Sequence, residues 1–324
     1  MKKLLVVVLA LAMVISLAAC GGSSSGSATK QEEVKFPERD ITIIVPYAAG
    51  GSSDLLCRAI ATQVSQDLGV NVVVTNVTGG GGTTGTSQAV NSAPDGYTLA
   101  FPSNGGFLIN PAVNEVGYTY KTATPICIAT EVNIAIAVRA DSPYQTFADL
   151  LAETKPLTFS SPGANSTPHL LAAGIAADND KTWNHSPNGS TPQMAAELIG
   201  GHIDFISLNI PSVSMYVNEG QVRALAVTGD QRDPALPDVP TLKELGYEFP
   251  ATVYFCLVGP ANMDEAVVKI LSDAFGNAIA NPAVTETMEK LNQPPVFVDY
   301  KAFAERAEKD YEFYEGILKD MGIL

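Results

Sequence analysis

Five short segments rich in Gly, Ser, Thr and Asn are the part of this sequence best suited to binding chemistry. The first spans residues 46–54 and leads directly into a helical pattern. Its adjacent glycines, Gly50 and Gly51, allow backbone N–H groups to approach a ligand closely, and a helix N-terminus adds partial positive charge. A segment of this kind can bind a carboxylate without an Arg or Lys side chain.

The other four segments share this composition. Because Ser, Thr, Asn and Asp are common helix caps and Gly is common in turns, ordinary local structure explains each single segment at least as well as ligand binding does. Five such segments at one sheet edge favour a polar, uncharged cleft for a small molecule. The four are residues 103–106, 160–167, 188–191 and 209–212.

None of the five segments contains Lys or Arg. An anion in such a cleft would be held by N–H groups, hydroxyls and helix N-termini. We expect Asp54 to cap its helix or to order water rather than to touch the ligand. Arg58, one helical turn further on, is expected to pair with a carboxylate at the protein surface.

The elements that position these segments are short apolar runs alternating with longer amphipathic ones. In the helical pattern at 54–68, Leu56, Ile60 and Val64 fall near one face, and Gly69 can end the helix. Such alternation predicts an α/β fold with mostly parallel sheet flanked by helices, in which strand-to-helix junctions gather at one edge. Predicted strands are 41–47, 70–77, 97–101, 133–138, 157–160, 203–209, 222–227 and 253–258; further helices are 166–177, 193–200, 264–279 and 300–319.

The N-terminus indicates export. Lys2 and Lys3 precede an apolar run over residues 4–17 that is short for a membrane span, and small residues lead to Cys20. We interpret 1–20 as a lipoprotein signal peptide in which Cys20 is lipidated, and the Gly/Ser-rich residues 21–35 as a flexible tether. An uncleaved signal anchor is the alternative. The predicted location is the outer face of the cytoplasmic membrane.

Charge and size limit the functional classes. The 324 residues carry a formal charge of −15, which disfavours nucleic acid as a partner. The roughly 290 residues after the tether exceed the size at which one core usually keeps growing, which favours two lobes. The remaining cysteines, Cys57, Cys127 and Cys256, lie in apolar contexts and are expected to be buried, inert thiols. No spacing of His and Cys suggests a metal site.

An exported enzyme is the strongest alternative to a protein that only binds a small molecule in such a cleft. Residues 80–85 match the dinucleotide pattern Gly-x-Gly-x-x-Gly after a strand, but no acidic residue for a ribose follows about twenty positions later. A hydrolase lacks a Gly-x-Ser-x-Gly elbow. We expect His169 to be a local cap or packing residue. For His185, beside Trp183, we favour solvent exposure, with contact to a ligand as the alternative. The sequence therefore predicts no catalytic residue and no cofactor; a surface adhesin is a third possibility, which the dense Gly/Ser/Asn junctions disfavour.

Several longer stretches of sequence are specific enough to indicate a protein family. Residues 36–47 followed by Gly-Gly-Ser-Ser-Asp, the string Pro-Asp-Gly-Tyr-Thr-Leu at 94–99 and Leu-Pro-Asp-Val-Pro-Thr at 236–241 are the clearest of them. From these strings the chain resembles the substrate-binding receptors of tripartite tricarboxylate transporters, the Bug-type receptors. The resemblance covers residues 36–324.

The resemblance implies a two-lobed periplasmic-binding-protein-like fold whose lobes are joined by crossing strands. Residues 36–130 plus 252–324 would form lobe 1, and 131–251 lobe 2. It also implies a monomer that delivers a small organic ligand, usually a carboxylate, to membrane transporter subunits. The implied ligand-binding residues are Tyr47, Gly50, Gly51, Ser52, Ser53, Asp54, Ser103, Asn104, Ser160, Gly163, Ser166, Thr167, Gly189, Ser190, Thr191 and Asn209.

Two departures bear on the ligand. Relatives often carry Pro-Tyr-Lys-Gly where this chain has Ser-Pro-Asn-Gly at 186–189, so an aromatic and a cation are missing. Asn-Val-Thr-Gly at 76–79 likewise replaces a frequent Asn-Arg-Pro-Gly. A pocket without the Tyr and Lys accommodates a different or less charged solute, and the sequence does not identify it.

Overall fold

The computed structural model describes residues 35–188, 190–249 and 251–324. The predicted signal peptide, Cys20, nearly all of the tether and Gly189 therefore lie outside the described residues. Lys35–Leu324 forms one compact unit. Its described residues contain eleven strands in two mixed sheets and ten α-helices.

The first sheet has six strands in the order β11-β4-β10-β3-β1-β2, and the second has five in the order β7-β6-β8-β5-β9. The bounds of the strands in the first sheet are β1 Ile41–Val45, β2 Val72–Asn76, β3 Thr98–Ala100, β4 Ala123–Val132, β10 Val253–Pro260 and β11 Pro295–Val298. Those in the second are β5 Ile134–Arg139, β6 Leu157–Ser160, β7 Trp183–His185, β8 Phe205–Asn209 and β9 Val222–Val227.

Helices cover both faces of each sheet. Their bounds are α1 Ser52–Leu68, α2 Thr83–Val90, α3 Asn110–Val113, α4 Phe147–Ala152, α5 Thr167–Asp178, α6 Thr191–Ile199, α7 Ile210–Asn218, α8 Glu265–Ala280, α9 Pro282–Lys290 and α10 Tyr300–Asp320. A 3-10 turn at Gly80–Gly82 precedes α2, and a π-helical turn at Gly105–Ile109 precedes α3. Within the described ranges, no helix combines the length and the apolar composition that crossing a bilayer would require.

The core follows from strand periodicity. In β1, Ile41 and Ile43 pack with α1 and α8 on one face of the first sheet, while Ile44 packs on the other face with Phe303 of α10. Successive side chains of a strand point to opposite faces, so a strand covered on both sides must be apolar at nearly every position. The second sheet is likewise buried between α5 on one face and α6 with α7 on the other.

The predicted α/β class is confirmed, but the pairing is mixed rather than mostly parallel. β1 runs parallel to β2 and β3, and β6 runs parallel to β7 and β8. The other pairs are antiparallel, because β4 continues into β5 across the single residue Asn133 while β10 returns in the opposite direction beside β4. β4, β7 and β11 were not predicted from the sequence.

Helix α1 fixes the position of the loop at 46–51 that precedes it. The N-cap is Gly51, and Gly69 ends the helix in the left-handed region with φ 71°, donating its N–H to the Ser65 carbonyl at 3.0 Å. Gly69 as the end of this helix is therefore confirmed. The helix is anchored by Leu56, Ile60 and Val64, which are fully buried against the first sheet. The loop at 46–51 is held between two rigid elements.

Candidate functional site

A cleft of about 980 Å³ opens where loops of the two sheets face each other. Ten of the sequence-predicted ligand-binding residues line it, namely Tyr47, Gly51, Ser52, Ser53, Ser103, Asn104, Gly163, Ser166, Thr167 and Asn209. Further lining residues were not among the predicted ligand-binding residues, although Gly105, Gly106 and Asn165 belong to the predicted segments 103–106 and 160–167. They include Gly80, Gly81, Thr83, Gly105, Gly106, Asn110, Asn114, Asn165, Val253 and Phe255.

The N-terminus of α1 forms one wall of the cleft through Gly51, Ser52 and Ser53. The first intrahelical hydrogen bond is from Leu55 N–H to the Gly51 carbonyl at 3.0 Å. The N–H groups of the first helical turn before it have no partner within the helix, so they can donate to an anion. This is the feature of the molecule best suited to binding a carboxylate.

Asp54 stabilises this loop from behind and does not line the cleft. Its side chain is buried and accepts hydrogen bonds from Gly50 N–H at 2.8 Å and from Asn76 Nδ2 at 2.9 Å. Arg58 forms an ion pair with it at 2.9 Å. Burial opposes ionisation of Asp54, but the bonds from Arg58, Gly50 and Asn76 outweigh burial and lower its pKa. The expected pairing of Arg58 with a carboxylate agrees with this geometry. Asp54 does not cap its helix as expected, because its carboxylate accepts from Gly50 in the preceding loop instead. Gly50 likewise lies outside the cleft lining.

Tyr47 and Ser103 are coupled at the same wall. Their hydroxyl groups lie 2.7 Å apart, and Ser103 N–H donates to the Tyr47 hydroxyl at 3.0 Å. Burial raises the pKa of Tyr47, so the phenol stays neutral. A Cβ at Gly82, which has φ 102°, would lie 2.8 Å from the Tyr47 oxygen. Glycine is required there because no side chain fits between this turn and the ring.

Asn104 links the two sides of the cleft and is completely buried. Its Nδ2 donates to the Thr252 carbonyl at 2.8 Å and lies 3.3 Å from the Tyr314 hydroxyl. Its Oδ1 accepts from Gly105 N–H at 3.1 Å and from the Thr167 hydroxyl at 3.3 Å. Because these contacts occupy the amide, Asn104 shapes the cleft more than it contacts a ligand.

The opposite wall consists of the loop before α5. Ser166 is the N-cap of α5; its Oγ accepts from His169 N–H at 3.3 Å and donates to the Gly163 carbonyl at 2.8 Å. Asn209 occupies the N-cap position of α7, but its side chain makes no cap hydrogen bond. Its Oδ1 is buried and has no hydrogen-bond partner among the described residues. Its amide is thus available to the cleft.

Three further predicted residues lie away from the cleft. Ser160, at the end of β6, is fully buried with its hydroxyl unpaired. Ser190 and Thr191 begin α6 but do not belong to the cleft lining, and Gly189 between them and Asn188 lies outside the described residues. Of the segment at 188–191, the three described residues, Asn188, Ser190 and Thr191, do not line the cleft.

The electrostatics of the cleft are unusual for an anion site. Among the residues that the structure describes, its lining contains no Lys, Arg, Asp or Glu. The cation nearest in sequence to the first loop, Arg58, is engaged with Asp54 and with Asn76 at 2.9 Å. Positive potential must come from backbone N–H groups and from the helix N-termini at Ser52 and Thr167. An anion bound here would be held by neutral donors.

The remaining reactive groups have structural settings. Cys57, Cys127 and Cys256 are free and buried, and burial raises their pKa values, as expected for inert thiols. Across the described ranges, His, Cys, Asp and Glu nowhere gather in a group of three that could hold a metal ion. His169 packs against Phe159 as predicted, whereas the prediction that His185 is solvent-exposed is wrong. His185 lies in β7, half-buried because its ring stacks on His169.

Comparison with known proteins gives the family. The sequence profile of the tripartite tricarboxylate transporter family receptor matches residues 56–323. A UPF0065 protein encoded in the gbd 5′ region of Cupriavidus necator is 32% identical over 294 residues, covering 89% of each chain. Protein BugT of Bordetella pertussis is 27% identical, covering 93% of this chain and 94% of its own.

Solved structures agree. A TctC solute-binding protein from Polaromonas superposes with a TM-score of 0.79 at 29% identity, over 88% of this chain and 99% of its own. The periplasmic binding protein BugD gives a TM-score of 0.71 at 27% identity, over 89% and 99%. By their names, the two solved structures are a solute-binding protein and a periplasmic binding protein. The chain belongs to the tripartite tricarboxylate transporter receptor family.

Proposed function

We propose that this protein is an extracytoplasmic receptor that binds a small organic carboxylate in the cleft between its two sheets and delivers it to the membrane subunits of a transporter. The observation that carries the proposal is the N-terminus of α1, which borders a cavity lined by uncharged residues and has first-turn N–H groups without partners in the helix. The family membership supports the receptor role.

The carboxylate preference rests on two kinds of support. The neutral donors of the cleft are suited to an anion whose charge is spread over two oxygens. Two solved proteins of the same fold were determined with dicarboxylates, Rpa4515 of Rhodopseudomonas palustris with adipate and MatC with malate. The cleft volume lies at the upper end of the usual range for small-molecule sites, which leaves room for water beside such a ligand.

We assign the binding site to the ten predicted residues that line the cleft together with Gly80, Gly81, Gly105 and Gly106. The lobes are proposed as 36–130 plus 252–324 and 131–251. The strand membership of the sheets supports this division, because β1 to β4, β10 and β11 share one sheet while β5 to β9 form the other. Ligand contacts on both sides would favour a closed state.

Thermal shift against mono-, di- and tricarboxylates and acidic amino acids tests the function. A ligand present at 100 times its Kd stabilises the folded protein by about 2.7 kcal/mol. We expect at least one carboxylate to raise the unfolding temperature, with neutral analogues such as the corresponding amides as controls. If the amides stabilise the protein as much as the carboxylates do, the cleft does not distinguish charged from neutral ligands.

The anchor is proposed from the sequence alone, with Cys20 lipidated, residues 21–35 as tether and the folded part monomeric at the outer face of the membrane. Cys20→Ser should release the mature protein into the soluble fraction without changing its ligand affinity. Fractionation after a high-salt wash measures this. Retention of the variant in membranes would contradict lipid anchoring.

A further inference from the structure

Two of the three histidines of the chain form a stacked pair behind the cleft. The rings of His169 in α5 and His185 in β7 lie with their centroids 3.9 Å apart and their planes at 26°. Phe159 of β6 lies beside both rings, at 6.0 Å from His169 and 4.9 Å from His185. The third histidine, His202, is exposed.

His169 accepts a hydrogen bond from the loop that lines the cleft. The Asn165 N–H donates to His169 Nδ1 at 3.0 Å. Asn165 has φ 59°, in the left-handed region that Asn adopts more readily than most residues other than Gly. The bond requires Nδ1 to be unprotonated, because a protonated Nδ1 would face the Asn165 N–H as a second donor.

His185 holds the beginning of the same loop. Its Nε2 lies 2.8 Å from the hydroxyl of the buried Ser161. That hydroxyl also donates to the Gly163 carbonyl at 3.3 Å and lies 3.4 Å from the Ser166 hydroxyl. Both ends of the loop are therefore fixed by imidazole nitrogens.

The loop so held supplies most of the cleft wall on the side of the five-stranded sheet. Its lining residues are Pro162, Gly163, Ala164, Asn165, Ser166 and Thr167. Since these residues line the cleft, a change in the conformation of the loop changes the positions of the donors and acceptors that they offer to a ligand.

We propose that His169, with His185 stacked on it, is a positioning residue of the ligand cleft, whose neutral imidazole fixes the loop at 161–166 in its binding conformation. The expected effect of the histidine pair on ligand affinity rests on the proposed function, whereas its expected effect on the loop does not depend on any ligand. Protonation of His169 releases the Asn165 N–H and weakens the wall of the cleft.

The surroundings keep the pair neutral near pH 7. Burial, and to a smaller extent the charge of His185, lower the pKa of His169 to about 4; burial also lowers the pKa of His185. The neighbouring side chain from β6 is Phe159, and the loop contributes only the uncharged Ser161 and Asn165. In the described chain, His185 is the one titratable group with a Coulombic effect on His169.

Three variants test the positioning role. In His169→Asn the side-chain oxygen replaces Nδ1 as acceptor, whereas His169→Leu removes the acceptor and keeps an apolar side chain; His202→Leu is the matched control. We expect His169→Leu to lose protection of the Asn165 amide against hydrogen exchange and to lower affinity about tenfold. His169→Asn and His202→Leu should retain that protection and bind within about threefold of wild type.

Amide exchange is followed by NMR, and affinity by calorimetry with malate and adipate as probes. If neither dicarboxylate binds wild-type protein, the carboxylate assignment fails, while exchange of the Asn165 amide still decides the role of His169. Protection of Asn165 in His169→Leu, or equal loss in His169→Asn and His169→Leu, would overturn the proposal.

A pH titration of ligand-free protein gives a second test. The single tryptophan, Trp183, lies in β7 two residues before His185 and reports on this region by fluorescence. We expect one of the three imidazoles to titrate near pH 4 in NMR spectra, with a change of Trp183 fluorescence at the same midpoint that His169→Asn removes. An unperturbed titration of His169 near pH 6.5 would contradict the proposal.

Discussion

The wall of the cleft that belongs to the six-stranded sheet is shaped mainly by backbone, whereas the wall that belongs to the five-stranded sheet is shaped by side chains. On the first side, Gly51, Gly80 and Gly81 bring main-chain atoms close to the cavity. On the second, Ser166, His169 and His185 hold the loop through side-chain hydrogen bonds and stacking.

The difference separates two tasks of a receptor. Main-chain N–H groups at a helix N-terminus bind a carboxylate whatever the rest of the molecule looks like. A loop fixed by side chains can be reshaped by substitutions without disturbing the sheet. We therefore expect the first wall to supply affinity for charge and the second to determine which carboxylate is preferred.

The largest effect is expected from Gly51→Val. A Cβ at Gly51 would lie 3.2 Å from the Ala48 carbonyl oxygen, and the valine methyl groups would cover the N–H groups behind it. We expect the Kd, measured by calorimetry, to rise about 100-fold or more, the equivalent of two charge-assisted hydrogen bonds. Gly316→Val, at an exposed site with open space around it, is the control and should bind normally.

Arg58→Gln sharpens the same point because it removes the positive charge in the first turns of α1. Arg58 is occupied by Asp54 and Asn76, so its loss should change the Kd less than about threefold while lowering the stability of the fold. Loss of binding in Arg58→Gln with normal binding in Gly51→Val would show that a salt bridge from Arg58 binds the carboxylate.

Tyr47→Phe is expected to lower affinity about tenfold. The hydroxyl accepts from Ser103 N–H, and its removal leaves that donor and the Ser103 hydroxyl without their partner at the edge of the cleft. Calorimetry at constant pH measures the change, and thermal unfolding monitors stability. Unchanged affinity would place the ligand away from this side of the cleft.

Asp54→Asn should reduce stability by about 1–3 kcal/mol at pH 7. The pKa of Asp54 is lowered from its ordinary value of 3.8, so ionised Asp54 stabilises the fold above that value and the contribution is lost as pH falls through the folded-state pKa. Thermal unfolding from pH 7 to pH 3 should show the difference between wild type and variant shrinking below about pH 4. A difference independent of pH would contradict this role.

The smallest effect distinguishes two serines. Ser166→Ala removes the cap of α5 in the cleft wall and should weaken binding by about 0.5–2 kcal/mol. Ser190→Ala, at the start of α6 and outside the cleft lining, should leave the Kd unchanged. Equal losses of affinity in both variants would show that the segment at 188–191 contributes to ligand binding.

Elements with strong local patterns were predictable from the sequence. The bounds of β6 and β9 match the predicted strands at 157–160 and 222–227, and Gly69 ends α1 as expected. β7 and β11 were missed because they are short edge strands of three and four residues, and β4 because Pro125 and polar residues interrupt its pattern. Whether two strands pair in parallel depends on how the chain passes from one sheet to the other, and no local sequence pattern indicates this.

The candidate site was predictable where Gly, Ser and Asn stand at strand-to-helix junctions, as at 51–53, 103–106 and 163–167. Gly80 and Gly81 were noticed only as part of a dinucleotide pattern, although their position after β2 also places them at the cleft. The His169–His185 pair was not predictable, because the parallel pairing of β6 with β7 brings the rings together across sixteen positions of the sequence.

A crystal structure with the carboxylate that gives the largest thermal shift tests the central claim most directly. We predict that a carboxylate oxygen lies about 3 Å from the backbone nitrogens of Ser52 or Ser53, with Arg58 still paired to Asp54. A carboxylate in direct contact with Arg58, or with any other Lys or Arg side chain, would contradict the account of a cleft that binds charge through neutral donors.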